Sequence, residues 1–416
     1  MKKYAASFII FVLAIGTLIT FFIYEHHAVS AFPSFYIQQT AGDKREIKQF
    51  ILDGNYYDGQ INENLQITTN GTSYYRDRSF FEKLSAVSDP GMKRLQNEYH
   101  SFMRGKAENM NQYYENQDKL IYANIDAYDM RLPEQRMQSK LEIAIWDKQK
   151  KQKSSFKATI PHIDRYIWMD IQSLKFNNGK LYVATNNERY SDSGQNSMEA
   201  HLFQVDLKSG KLGDDKTLLK ENADDQVYSK DNGKNGETYT SINFVPQENA
   251  QENNMIVLQK TISEIGNEAK QDKVLKNELI SYEIGSAMRK KLSLPAELPK
   301  SAEPVSQNGT SVYFKVQSAN KLTVYSYDVH TEKVTAVHQF PLQAANREAL
   351  IEVKNNRIYI ISPAMRAKRK ATVFVADAKT AKTLYKGVIK VKGDQNLIGE
   401  QSLEVDSLEI GNGETK

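Results

Sequence analysis

The sequence predicts an all-β fold of repeated antiparallel sheets, carried behind one N-terminal apolar helix. Three observations predict it: a strand–turn–strand unit recurs along the chain, an acidic residue closes the second strand of each copy, and residues 5–24 carry no charge.

The run AASFIIFVLAIGTLITFFIY at 5–24 follows Lys2 and Lys3, and at ~1.5 Å per residue it reaches ~30 Å, the hydrocarbon thickness of a bilayer. Glu25 follows, and the next basic residues are Lys44 and Arg45. The positive-inside bias sets residues 1–4 as a cytosolic stub, 5–24 as a transmembrane helix or signal anchor, and the bulk outside the cytoplasm. Val29-Ser30-Ala31 has the small-x-small form cut by signal peptidase, so the alternative is a chain secreted after cleavage following Ala31. The apolar run is longer than the ~7–15 residues of a signal h-region, which favours a retained single-pass anchor. A tether at 25–48 is expected behind it.

The whole chain has 40% hydrophobic and 25% charged residues, an ordinary globular composition that leaves ample material for a core after the apolar run. The chain has no cysteine, which excludes thiol catalysis, cysteine zinc sites, Fe–S clusters and a lipid-bearing N-terminal Cys. Its net charge of +4 is mild; no basic face with aromatic platforms marks a nucleic-acid binder.

The repeat is clearest in three copies. FNNGKLYVAT at 176–185 precedes HLFQVDLKSGKL at 201–212, NGTSVYFKV at 308–316 precedes LTVYSYDVHTEKVTAV at 322–337, and KNNRIYIIS at 354–362 precedes ATVFVADAKTAKTLYKGVI at 371–389. Two more divergent copies lie at 119–152 and 254–294. Period-two alternation such as Leu322, Val324 and Ser326 against Thr323, Tyr325 and Tyr327 marks half-buried strands. The closing acids are Asp147, Asp206, Glu283, Asp328 and Asp377. An Asp there accepts backbone N–H bonds in an Asx-turn, and the lysine after it solvates the tip. Four-stranded sheets recurring every ~40–50 residues make a β-propeller, here of six or seven blades over residues 49–395. The longer intervals hold polar tracts at 190–199, 228–238 and 248–254, expected as inserted loops.

The segments LFQVDLKSGKL and VFVADAKTAKTLY resemble the repeat of quinoprotein-like (PQQ-repeat-like) propellers, with Asp206 and Asp377 at the repeat's Asp and Lys211 and Lys382 at its Lys. The resemblance covers about 115–395 and implies the fold. The repeat's terminal Trp is missing from every copy, Ala381 stands where it has Gly, and the adjacent cysteines typical of its quinone enzymes cannot occur in this chain. Redox activity is therefore withheld.

Residues 32–118 depart from the repeat. LQITTNGTSYYRD at 65–77 reads as strand, turn and strand. DPGMKRLQNEYHSFMR at 89–104 has Asp at an N-cap, Pro at N1 and Met92, Leu95, Tyr99, Phe102 and Met103 at helical spacing. A helical insertion near 79–106, packed on the propeller, is expected. Residues 396–416 read as a C-terminal strand and polar tail.

The seven histidines (His26, His27, His100, His162, His201, His330, His338) show no metal-ligand spacing. Residues 231–236 fail as a calcium loop because Gly233 and Ile242 stand where oxygen ligands are needed. No GxSxG, GxGxxG or GxxxxGK[ST] motif occurs. The basic runs KQKKQK at 148–153 and RAKRK at 366–370 fall between strands and read as hairpin tips; contact with headgroups or anionic polymer is the alternative.

No catalytic, cofactor-binding or metal residue is assigned, and no cofactor is expected. The sequence predicts a membrane-anchored extracytoplasmic propeller acting as a non-enzymatic binding or scaffold module in a cell envelope. Its partners are the membrane and an envelope protein or anionic polymer, with no nucleic acid. The alternative is an enzyme with an active site at the propeller's channel mouth, acting on a carbohydrate or small molecule.

Overall fold

The computed structural model describes residues 12–13, 15–17, 20, 32–59, 61–78, 89–126, 139–190, 196–220, 238–247, 253–265, 271–342, 348–362, 364–366, 370–393 and 397–411. The chain divides into two compact units, one of residues 1–90, 342–352 and 356–416, the other of 91–341 and 353–355.

Most of the apolar segment 5–24 lies outside the described residues. Those described within it are helical, and the hydroxyls of Thr17 and Thr20 donate to the carbonyls of Leu13 and Gly16, each at 2.8 Å. Back-bonding of this kind satisfies a hydroxyl on an apolar helix. Among the described residues no helix is long and apolar enough to cross a membrane.

In the first unit, β1 (Phe35–Gly42), β2 (Phe50–Asp58), β3 (Ile61–Thr68) and β4 (Gly71–Tyr74) come early in the chain. The expected tether at 25–48 is thus partly a strand. The polar run Gln38-Gln39-Thr40 hid it, because β1 is an added outer strand buried only at its start.

The second unit begins with α1 (Pro90–Glu98) and α2 (His100–Met103). Proline opens α1 where its missing N–H costs nothing, and the expected single helix breaks at Tyr99, whose φ of −124° is not helical. Met92, Leu95, Phe102 and Met103 are buried. Phe102 lies 6.4 Å from Trp146, and Arg94 and Lys148 both pair with Glu115. The helices therefore cover a sheet, as the apolar spacing implies. The expected insertion's residues 79–88 lie outside the described residues.

That sheet is β5 (Tyr113–Glu115), β6 (Lys119–Asp126), β7 (Lys140–Asp147) and β8 (Gln152–Thr159). The next is β9 (Tyr166–Asn177), β10 (Lys180–Tyr190), β11 (Asn196–Asp206) and β12 (Leu212–Lys220). A third follows from β13 (Thr238–Phe244), β14 (Asn254–Ile265), β15 (Gln271–Glu283) and β16 (Met288–Leu292). The fourth comprises β17 (Glu303–Asn308), β18 (Ser311–Ser318), β19 (Lys321–Asp328) and β20 (Lys333–Pro341). Each of these four sheets is an up-and-down antiparallel meander with its strands in chain order, and neighbouring sheets among the four share a layer of buried residues. Ile143 and Ile145 meet Val183 and Phe203 in one core layer, Leu202 meets Val257 and Ile280 in another, and Leu258 meets Val312 and Phe314 in a third.

The first unit also holds most of β21 (Leu350–Lys354), and it closes with β22 (Arg357–Ile361), β23 (Ala364–Arg366), β24 (Thr372–Asp377), β25 (Thr383–Val391) and β26 (Ser402–Ile410). Its sheets run β1-β25-β24-β22-β21 and β23-β26-β2-β3-β4. The C-terminal strand β26 thus pairs with β2, joining distant parts of the chain in one sheet.

Five of the described sheets share one kind of turn, set after the acidic residue that closes a strand. Asp206, Asp328 and Asp377 each accept, on Oδ1, the amides two and three residues on and the hydroxyl of Ser209, Thr331 or Thr380. Asp147 accepts the amides of Gln149 and Lys150, and Glu283 accepts from the Ser286 hydroxyl. The fifth residue is left-handed in each: Lys151, Gly210, Ala287, Glu332 and Ala381. The acidic residue is thus the cap of a tight turn, as the sequence implied.

Candidate functional site

The site grows from one of the two register shifts in the β9–β10 ladder. Its buried apolar residues alternate as Ile167, Met169 and Ile171, then shift phase to Leu174, with the half-buried Phe176 continuing it. The shift lies at Gln172: opposite β10, Ile171 pairs with Thr185 and Ser173 with Ala184, leaving Gln172 as the extra residue of a β-bulge. Freed from the alternation, the Gln172 side chain donates to Asp170 Oδ2 at 2.7 Å. Asp170 stands opposite Asn186 in the ladder, and Asn186 donates to the Ile242 carbonyl of β13 at 3.1 Å. Burial raises the Asp170 carboxyl above the usual carboxylate range.

Beside the bulge is a cavity of about 300 Å³ lined by Tyr113, Gln172, Lys175, Phe244, Gln247 and Met255, among others. Tyr113, Gln172 and Phe244 belong to β5, β9 and β13, the first strands of three successive sheets. Lys175 is only 3% exposed. Gln247 is fixed by its Nε2, which donates to Gln307 Oε1 at 3.0 Å, while the Gln307 amide donates to the Pro246 carbonyl at 2.7 Å. The wall therefore offers amide donors and acceptors, an ammonium and apolar floor, the mixture of a ligand site.

A larger opening of about 480 Å³ lies beside the turns, lined by Asn254, Glu283, Lys290, Thr310 and His330 among others. In it Lys290 is paired with Glu332, and Glu283 accepts from Ser286.

The opposite face of the β9–β12 sheet carries a buried charge cluster. His201 Nδ1 donates to Asp215 Oδ1 at 2.8 Å and Nε2 to Glu199 Oε2 at 3.0 Å. Arg189 and Lys220 lie 3.3 and 3.6 Å from Glu199. Burial opposes the imidazolium, but the bonds to Asp215 and Glu199 outweigh it and hold the pKa up at about 8. Glu199 and Asp215 occupy opposite ring nitrogens. Among the described residues no group of His, Asp and Glu is arranged to hold a metal ion.

His201 is buried and hydrogen-bonded, His338 is buried, and His330 lies in the Asp328 turn. His162 takes a left-handed conformation before a short 3-10 turn. The basic run at 148–153 does sit at the β7–β8 turn, with Lys148 committed to Glu115 at 2.7 Å. In the run at 366–370, Arg366 lies 3.7 Å from Glu404; residues 367–369, like the rejected calcium loop at 231–236, lie outside the described residues.

No protein-family model matches this chain, and no curated protein does. Solved structures with partial likeness include a Dos1 propeller (12% identity, 72% of this chain and 70% of that one, TM-score 0.28) and TolB from Acinetobacter baumannii (11%, 91% and 84%, TM-score 0.20). A prolyl endopeptidase aligns at 10% identity over 87% of this chain and 49% of its own, with a TM-score of 0.30. Scores this low carry no functional argument. The strand order of the six described sheets, four of them plain four-stranded meanders like propeller blades, is the firmer statement of architecture.

Proposed function

We propose that this chain is a membrane-anchored, extracytoplasmic β-propeller of six or seven blades, and that it works as a non-enzymatic binding or scaffold module in the cell envelope. The kinship with quinoprotein-like propellers enters this reading as fold alone. The observation that carries it is the Gln172 bulge, which turns an amide out of the ladder beside a cavity where the first strands of three sheets meet. Bulges serve this end, re-aiming a side chain where pairing is given up. The lining holds a ligand by hydrogen bonds and apolar contact.

The test is calorimetric titration of the full chain in lipid nanodiscs with soluble oligosaccharides and oligopeptides prepared from a cell envelope. Gln172→Ala and Lys175→Met should each weaken binding by about tenfold, near 1.4 kcal/mol, while the far-ultraviolet dichroism stays that of the parent. Binding indifferent to both substitutions would refute the assignment of the site.

A further inference from the structure

The same strand carries a feature the cavity does not use. Trp168, on β9, is 45% exposed, a large indole surface left in solvent on an otherwise well-buried strand. It stands opposite Glu188, and Asp170 stands opposite Asn186 two residues on, so the indole, the carboxyl and the amide share one face of the sheet. Gln172 continues the row and bonds to Asp170, and Lys175 ends it at the cavity. At ~3.3 Å per residue the row runs roughly 20 Å along β9.

From this placement we infer that the ligand is a saccharide chain, laid along β9 with one sugar ring stacked on Trp168 and its neighbours hydrogen-bonded by Asp170, Gln172 and the cavity wall. The inference rests on the binding reading above. A pyranose ring has an apolar C–H face that an indole covers, and an equatorial rim of hydroxyls that carboxyl and amide groups pair with. The row offers both, the indole at one end and the polar groups of Asp170 and Gln172 after it. Its length suits several sugars in sequence, so affinity should grow with chain length. A peptide added as a strand would instead be held through main-chain bonds along a sheet edge and would gain little from an indole standing out of the sheet.

The chain holds two tryptophans, so Trp146→Phe leaves Trp168 as the sole fluorophore. Titrating this full-chain variant with N-acetylglucosamine oligomers and neutral glucan oligomers of increasing length should shift Trp168 emission, with affinity rising as the oligomer lengthens. Trp168→Ala should weaken binding about tenfold while the far-ultraviolet dichroism stays that of the parent. Should Trp146→Phe fail to fold, 5-fluorotryptophan in the parent chain gives two fluorine resonances, and Trp168→Phe assigns the one that must move. Oligosaccharides that leave Trp168 unperturbed while envelope peptides bind in a Gln172-dependent way would overturn the saccharide class and spare the binding reading. Failure of both probes to bind would overturn both.

Discussion

Asp328 takes two hydrogen bonds from Thr331 on one carboxylate oxygen, the amide at 2.7 Å and the hydroxyl at 2.9 Å. With the Thr310 hydroxyl on its other oxygen at 2.7 Å, these bonds hold the Asp328 carboxyl down at about 2. A depressed folded pKa gives stability that is complete above the ordinary aspartate value near 4 and lost as pH falls through about 2. Asp328→Ala should therefore cost about 1 kcal/mol at neutral pH, the exposure of the turn keeping the figure low, and should remove part of the acid-unfolding slope. Urea unfolding of parent and variant at pH 7 and pH 3 checks both.

The equivalent turn at Asp377 places Ala381 at φ 55°, where a Cβ is crowded. Gly210 holds the same position after Asp206 without that penalty. Ala381→Gly should raise stability by up to about 1 kcal/mol, less the chain entropy glycine adds to the unfolded state. A rise in thermal midpoint is expected; a fall would show that the left-handed residue is relaxed.

His201 makes the opposite pH prediction. Its folded pKa of about 8 lies above the ordinary histidine value. The stabilisation it brings is full below about pH 6.5 and disappears as pH rises through about 8, a change on the order of 2 kcal/mol. His201→Phe should flatten that alkaline slope. It should also cost on the order of 3 kcal/mol at pH 6, because Glu199 and Asp215 lose their buried partner. Denaturant unfolding at pH 6 and pH 9 separates the two effects.

Leu95, on α1, is fully buried. Leu95→Ala should cost about 3 kcal/mol if α1 is a structural cover, and a near-neutral result would favour a helix that detaches to meet a partner.

The strands, the capped turns and the helical insertion were legible because each is a local pattern: period-two alternation, an acid before a turn, apolar residues at helical spacing. The cap at Asp377 could be read from the residues around it alone. The Gln172 site was missed for two reasons. Its walls come from positions as distant as Tyr113 and Gln247, brought together by sheet packing that no local pattern encodes. The bulge itself did leave a trace, the slip in phase from Ile171 to Leu174, but a slip can be interpreted only once the partner strand is known. Likewise β1 showed no strand pattern, because an added outer strand need not bury one face.

The anchor is tested by topology. The chain lacks cysteine, so Lys3→Cys and Ser34→Cys each introduce a single thiol. In intact cells a membrane-impermeant maleimide should label the second and leave the first untouched until the membrane is opened.

The function proposed for this chain turns on β9 carrying the binding site, and hydrogen exchange of the full chain decides whether it does. Compared free and saturated with the tightest-binding of the oligosaccharide and oligopeptide probes, the chain should gain protection at residues 168–175 and 244–247. Protection confined to the turns around His330, or absent from both regions, would contradict that placement.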